Sequence, residues 1–325
     1  MRSRALALTM LLSFAIYCAA IPKCRPEELF DHALKTPADV SNLVEKAKGG
    51  DAEAQFRVGL AYDMGKGVPC DHEQAASWYK KAADRGNPGA QNNLGGLYER
   101  GLGVTQSDTE AVRWYARAAA EGLPAAQNNL GFMYAEGRGV TQSDQSAVFW
   151  YRKAADKGYA AGETNLGLMY STGRGVPADP KQAIKLYRKA AKSGFVPAEF
   201  ELGQLYFHGT GTPQNLSEAI QLFRKAAEHG SGEAQSQLGF VYSYGRGVPQ
   251  DYSQAEQWYR LAAANGSLEG RHNLAVVLAL LHGDHDAGNI VEAEAAPTLR
   301  SQSPASITSD DGLPAGRLSL LGGKR

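Results

Sequence analysis

The chain has 325 residues, and its 34 basic and 34 acidic side chains give a formal net charge of zero. This balance gives no support for a nucleic-acid or acidic-membrane partner, because such partners attract proteins with an excess of Lys and Arg. The length allows one to three domains, and the 37 glycines are many for a globular protein.

Residues 1–20 have the pattern of a secretory signal peptide. Arg2 and Arg4 precede an apolar stretch at 5–17, and "CAA" then supplies small residues for cleavage. The apolar stretch is short for a membrane-spanning helix, and no later stretch is apolar enough to span. We therefore expect an exported protein, periplasmic or secreted in a bacterium, with no transmembrane segment after cleavage.

Cleavage leaves two cysteines, Cys24 and Cys70. An oxidising compartment would allow them to pair and to tie the N-terminal arm to the first repeat. Two separate thiols are the alternative that the sequence leaves open. Within the arm and cap, residues 21–49, the phase of Leu43 and Ala47 predicts a half-repeat over 36–49.

From residue 50 onward the same pattern recurs every 36 positions. Each of six full units has an opening glycine, an aliphatic residue followed by Gly, a tyrosine, and then Gly-x-Gly, and a seventh unit keeps the opening glycine. The opening glycines are Gly50, Gly86, Gly122, Gly158, Gly194, Gly230 and Gly266. Such a constant period predicts stacked structural units that bury a continuous core.

Each unit reads as two helices, A and B. In the second unit Ala90, Leu94 and Tyr98 share one helical face, and Gly95 lets a neighbouring helix approach closely. The Gly-x-Gly pair ends helix A. Helix B begins at a good N-cap residue in every unit, and five of six units complete a capping-box pattern. These N-cap residues are Asp71, Ser107, Ser143, Asp179, Asn215 and Asp251.

The phrase "A-x-x-x-L-G-x-x-Y-x-x-G-x-G-V", followed by "A-x-x-W-Y-x-x-A-A-x-x-G", resembles the Sel-like repeat family, a relative of tetratricopeptide repeats. The resemblance implies an all-α, right-handed α/α superhelical solenoid of helix-turn-helix repeats that scaffolds protein assemblies. We expect the solenoid over 50–286, with six full repeats and a degenerate seventh. A short degenerate helix and a disordered tail are expected over 287–325.

In tetratricopeptide-type solenoids helix A lines the concave groove, and an asparagine before "L-G" contacts bound peptide. The resemblance suggests this role for Asn93, Asn129 and Asn165, because amides donate and accept hydrogen bonds. Hydrogen bonds between stacked repeats are the alternative for these amides. The complete set of candidate partner-binding residues is Asn92, Asn93, Asn128, Asn129, Asn165, Phe200 and Gln237.

Three further patterns could indicate catalysis or ligand binding, and each has a simpler interpretation. "SWYK", residues 77–80, matches the S-x-x-K of penicillin-recognising enzymes, but no S-D-N or K-T-G follows. "HGDHD", residues 282–286, lacks standard metal-ligand spacing, so no metal or cofactor is expected. A ladder of paired cations precedes the Ala-Ala in four repeats, as in Lys80–Lys81 and Arg188–Lys189, and Arg117 and Arg260 are partial copies; a solvated outer face is the favoured interpretation.

The sequence therefore predicts an exported, non-catalytic scaffold that binds a protein or an extended peptide in its concave groove. A β-lactam- or peptidoglycan-related hydrolase is the alternative, although the cysteine-rich branch that suggests it has a cysteine pair in each repeat. A cell-wall glycan binder that uses the basic ladder is a further alternative.

Overall fold

The computed structural model describes residues 37–281, and this part of the chain consists of fourteen α-helices without a β-strand. The helices are α1 (Pro37–Lys48), α2 (Ala52–Met64), α3 (His72–Asp84), α4 (Pro88–Arg100), α5 (Asp108–Ala120), α6 (Pro124–Glu136), α7 (Asp144–Asp156), α8 (Ala160–Thr172), α9 (Pro180–Lys192), α10 (Val196–His208), α11 (Leu216–Glu228), α12 (Gly232–Tyr244), α13 (Tyr252–Ala264) and α14 (Leu268–Leu281). The predicted all-α array with a 36-residue period is confirmed.

Even-numbered helices are the A helices and odd-numbered helices from α3 to α13 are the B helices. Repeats 1 to 6 each contain an A helix and the B helix that follows it, and α14 is the A helix of a seventh unit. Helix α1 lies where a preceding B helix would lie. Gln55 Nε2 donates to the Ala47 carbonyl of α1 at 3.0 Å, just as Gln91 Nε2 donates to the Ala83 carbonyl of α3 at 3.2 Å.

The two helices of a repeat meet where an aromatic ring lies on a glycine. A Cβ atom added to Gly131 of α6 would lie 2.7 Å from Cδ1 of Tyr151 on α7. At the six equivalent positions the nearest ring atom would lie 2.5–2.8 Å from the added Cβ, which is closer than real Cβ atoms come to other atoms. The glycines are Gly59, Gly95, Gly131, Gly167, Gly203 and Gly239. The predicted close approach is therefore present in every full repeat.

The turn from A to B requires positive φ. Gly137 ends α6 at φ 67°, and its N–H donates to the Met133 carbonyl. Gly139, at φ 68°, lies against the first turn of the preceding B helix, since a Cβ there would be 2.3 Å from the Asp108 carbonyl oxygen. Only glycine combines this φ with this lack of space.

All six predicted N-cap residues of the B helices accept a hydrogen bond from a first-turn N–H. The reciprocal half of the capping box is replaced by a different bond. In each repeat the N-cap N–H donates at 2.9 Å to the carbonyl of the tyrosine in the preceding A helix, as Asp251 N–H does to Tyr242. The N-cap N–H already has this partner, so the Glu or Gln side chain three residues later does not accept a hydrogen bond from it.

We expect Gly131→Ala to destabilise the protein. The added methyl group must displace the Tyr151 ring, and overpacking of this kind costs about 1–3 kcal/mol. That cost exceeds the gain of about 1 kcal/mol in helix propensity. The measurement is a urea titration of both proteins followed by circular dichroism.

Gly96→Ala is the matched control, because Gly96 also lies within an A helix but a Cβ there would be 3.6 Å from its nearest neighbour, the Tyr115 hydroxyl. This variant should be as stable as the wild type or more stable. Equal midpoints for Gly131→Ala and Gly96→Ala would show that the glycine–ring contact is not tight.

Candidate peptide-binding surface

The A helices line the inner side of the array. Successive A helices contact one another directly at four of six steps, whereas successive B helices in the described range have no comparable contact. Since an array curves toward the layer whose helices are closer together, the A helices form the concave face. This agrees with the position expected for a groove.

The predicted asparagines lie on this face and bond to one another across repeats. Asn129 Nδ2 donates to Asn92 Oδ1 at 3.0 Å, and Asn165 Nδ2 donates to Asn128 Oδ1 at 2.8 Å. Asn93 Nδ2 donates to the Tyr79 hydroxyl at 3.2 Å. These bonds form an amide ladder that joins repeats 2, 3 and 4.

Burial divides the ladder residues. Asn165 is 3% exposed and Asn128 is 9% exposed, so both are covered by protein. Asn92, Asn93 and Asn129 are half-buried. The geometry thus favours the internal role for Asn128 and Asn165, while peptide contact by the half-buried asparagines stays a prediction.

The other two predicted site residues, Phe200 and Gln237, lie on the concave face of repeats 5 and 6 and are half-buried. The Phe200 ring lies 5.8 Å from the ring of Phe223 in the core. In repeat 6, the rings of Phe240 and Tyr244 lie 4.5 Å apart. This half of the groove is therefore richer in aromatic surface than the half that carries the amide ladder.

Glu201 interrupts the series of asparagines in repeat 5. The residue as a whole is half-buried, but its Oε2 atom is shielded from solvent and receives no hydrogen bond within residues 37–281. Burial, and secondarily the charge of Glu233, raise the pKa of Glu201 to about 7. The Oε1 atom of Gln204, one turn further along α10, is shielded and unpaired in the same way.

A cavity of about 210 Å³ lies at the C-terminal end of the array, between α12, α13 and α14. Its walls include Phe240, Tyr244, Glu269, Asn273 and Val276. Sequence reasoning missed this cavity and the acceptors of repeat 5. The change from Asn to Glu at residue 201 is the one sequence signal that could have found the latter.

The cations of the basic ladder are engaged within the solenoid. In three repeats the first cation, an arginine, donates to a tyrosine hydroxyl of the next A helix, as Arg224 does to Tyr242 at 2.7 Å. In repeats 1 to 3, where the B helix carries Trp, the second cation lies over its ring, as Lys81 does over Trp78 at 3.8 Å.

Where Leu replaces this Trp, the second cation has a buried carboxylate partner instead. Lys189 Nζ lies 2.6 Å from Glu163 Oε1, and Lys225 Nζ lies 2.6 Å from Glu199 Oε1. Glu163 is 2% exposed and Glu199 is fully buried. In the Trp-containing repeats a buried Gln occupies the same position.

The other patterns show no converging site. Lys80 Nζ pairs with Asp84 at 3.1 Å, and Ser77 is exposed on the same helix, α3. Within residues 37–281 no group of three His, Cys, Asp or Glu side chains is placed to hold a metal ion. The "HGDHD" stretch lies outside the described residues.

Cys70 lies in the turn after α2 and is disulfide-bonded. Its predicted partner Cys24 lies outside the described residues, as do the segments 1–20 and 287–325, so the Cys24–Cys70 pairing stays a prediction. No helix in the described range is long and apolar enough to cross a membrane.

The repeats match a known family model. The Sel1 repeat model matches residues 52–87, 88–123, 124–159, 160–195, 196–231 and 232–267. The chain belongs to the Sel1 repeat family. Proteins of this Sel1 family generally mediate protein–protein interactions and typically have a non-catalytic scaffold fold.

Two solved structures support this assignment. A Sel1 repeat protein from Oxalobacter formigenes is 32% identical with a TM-score of 0.66, covering 70% of this chain and 90% of its own. A protective antigen of uropathogenic Escherichia coli with an SLR fold is 31% identical with a TM-score of 0.59, covering 78% of this chain and 67% of its own. A search of curated proteins gives no significant match.

We expect Lys189→Met to destabilise this Sel1 repeat protein by about 1–3 kcal/mol, because it leaves the buried carboxylate of Glu163 without its cation, while the 57% exposure of Lys189 screens the pair. Adding Glu163→Gln should restore most of the loss, since Gln is the residue at this position in four other repeats. Urea unfolding midpoints of the single and double variants measure both effects.

Lys153→Met is the control, because Lys153 lies over the rings of Phe149 and Trp150 rather than beside a buried carboxylate. Its expected cost is at most about 1 kcal/mol. Similar losses for Lys153→Met and Lys189→Met would contradict a specific role of the buried ion pair.

The ionisation of Glu201 should make stability depend on pH. Its folded-state pKa of about 7 lies above the ordinary value of 4.5, so the folded state loses stability relative to the unfolded state as pH rises from 4.5 through 7. Glu201→Gln should therefore match the wild type near pH 4 and exceed it by up to about 3 kcal/mol above pH 7. The solvent-exposed Glu136→Gln serves as control, and a difference that does not grow with pH would contradict the prediction.

Proposed function

We propose that this protein is an exported, non-catalytic scaffold that binds a protein partner, or an extended segment of one, along its concave face. The observation that carries the proposal is the concave surface of repeats 5 and 6. The A helices of these repeats carry the half-buried rings of Phe200 and Phe240 together with polar groups that have no hydrogen-bond partner within residues 37–281, such as Gln204 Oε1.

Such a surface suits a peptide better than a reaction centre. An extended peptide offers alternating N–H and C=O groups, which amide side chains such as Gln237 bind through both of their functions. Aromatic rings provide apolar anchors with little loss of conformational entropy. Family membership supports a protein partner, since Sel1 repeat proteins generally mediate protein–protein interactions.

One observation supports the proposed location. Residues 1–20 have the basic, apolar and small-residue sections of a signal peptide. The alternative functions gain less support, because Lys80 pairs with Asp84 and the ladder cations Lys189 and Lys225 have intramolecular partners.

The test is affinity capture from the exported fraction of the native cell, with wild type and two variants as bait. The concave variant is Phe240→Ala combined with Gln237→Ala, and it should retain a specific partner about tenfold less well, or worse. The opposite-face variant is Phe149→Ala on α7, whose ring is 52% exposed. This variant should capture the partner as well as the wild type does.

Melting curves by circular dichroism check that each variant is folded. The intact mass of the exported protein should correspond to a chain that begins at Ile21.

Loss of the partner with Phe149→Ala, but not with the concave variant, would place binding on the B helices. Asn129→Ala separates the two roles of the amide ladder: partner loss at an unchanged midpoint indicates peptide contact.

A further inference from the structure

The A helices of repeats 4 to 6 carry four carboxylates and neither Lys nor Arg. Two of these carboxylates, Glu163 and Glu199, are neutralised by lysines of the B helices at 2.6 Å. The other two, Glu201 and Glu233, have no ion-pair partner within the described part of the chain. The concave face of repeats 5 and 6 therefore carries uncompensated negative charge.

The same region has acceptors without donors. Glu201 Oε2 and Gln204 Oε1 are shielded from solvent, lie one helical turn apart on α10, and receive no hydrogen bond from residues 37–281. Unpaired buried acceptors are rare in native proteins, because burial removes their hydrogen bonds to water. In repeats 2 to 4 the position of Glu201 holds an Asn, which supplies an N–H to its neighbour.

The surrounding side chains suit a cation. Phe200 precedes Glu201 and keeps its ring half-buried on the same surface. Aromatic faces attract ammonium and guanidinium groups. The one basic side chain of α10 is His208, its last residue, and Arg246 follows α12 in the turn, where it lies 5.7 Å from the ring of Phe207. At the end of the adjoining B helix, Lys225 and His229 lie beside Glu199.

We propose that Glu201, Gln204 and Glu233 form a recognition site for a Lys or Arg side chain of the bound segment. Lys supplies three donors and Arg supplies five, and neither has an acceptor, so each complements a site made of acceptors. This inference rests on the proposed function, because the cation belongs to a peptide in the concave groove. It adds a specificity: the partner segment is basic at the point where it crosses repeat 5.

The test uses random peptides displayed on phage and selected against the full chain. Selected peptides should share a Lys or Arg. Replacing that residue by norleucine or citrulline should weaken binding, measured by fluorescence anisotropy, about 10- to 100-fold. Glu201→Gln should cause a similar loss, and Glu233→Gln provides a second variant at the same site.

A double-variant cycle decides whether the two groups meet. If Glu201 contacts the cation, the neutral peptide should bind wild type and Glu201→Gln equally, so that the two losses do not add. Glu136→Gln removes an exposed carboxylate from α6 and should change affinity by less than about twofold, because an exposed charge contributes little.

The outcomes separate this inference from the proposed function. Peptides that bind the concave face without a required Lys or Arg, or that tolerate Glu201→Gln, would overturn the cation site and leave the groove standing. Equal losses with Glu136→Gln and Glu201→Gln would also overturn it, since general charge attraction would then explain binding. Failure to select any peptide sensitive to Phe240→Ala would count against both.

Discussion

The architecture depends on one steric contact, repeated six times, in which the aromatic ring of a B helix lies directly on a glycine of its A helix. Glycine within a helix costs about 1 kcal/mol relative to alanine, so each repeat gives up intrinsic helix stability. The complete burial of a large ring, as for Tyr79, Tyr187 and Phe223, offsets this loss of helix stability. This close approach also fixes the rotation of each A helix about its axis, and so decides which side chains reach the groove.

The polar interior shows two solutions to one packing problem. In four repeats the Gln at the position of Gln55 donates to a carbonyl at the end of the preceding B helix. These are the repeats whose B helix carries Trp, and in repeats 1 to 3 a cation lies over the Trp ring. Where the B helix carries Leu, Glu takes the position and Lys pairs with it. Lys189 even donates to the Ala155 carbonyl at 3.3 Å, the group that a Gln amide would have bonded. Three residues on two helices thus change together, in repeats 4 and 5 alone.

The repeat, its helices and its caps could be predicted from sequence because each follows from a local rule: glycine for close approach and positive φ, and Asp, Ser or Asn at N-caps. The side-chain partners could not be predicted. Asn129 bonds to Asn92, which lies 37 residues away, and the tyrosine carbonyl takes the N-cap N–H that a capping box would use. Which of two competing partners an amide or an N–H group takes depends on distances that only the stacked repeats define. The acceptors of repeat 5 that receive no hydrogen bond from residues 37–281 could not be predicted for the same reason.

Each helix packs mainly against helices one or two places away along the chain. Copying or deleting one 36-residue unit would therefore leave almost every remaining contact intact. The same contacts would stabilise a shorter or a longer array. Repeats 4 and 5 are adjacent and share the Leu, Glu and Lys set, so a variation in the interior extends over neighbouring units. Adding a repeat therefore lengthens the concave groove by one unit. The added repeat stacks on its neighbours through the same contacts, while its groove side chains can differ and bind a different ligand group.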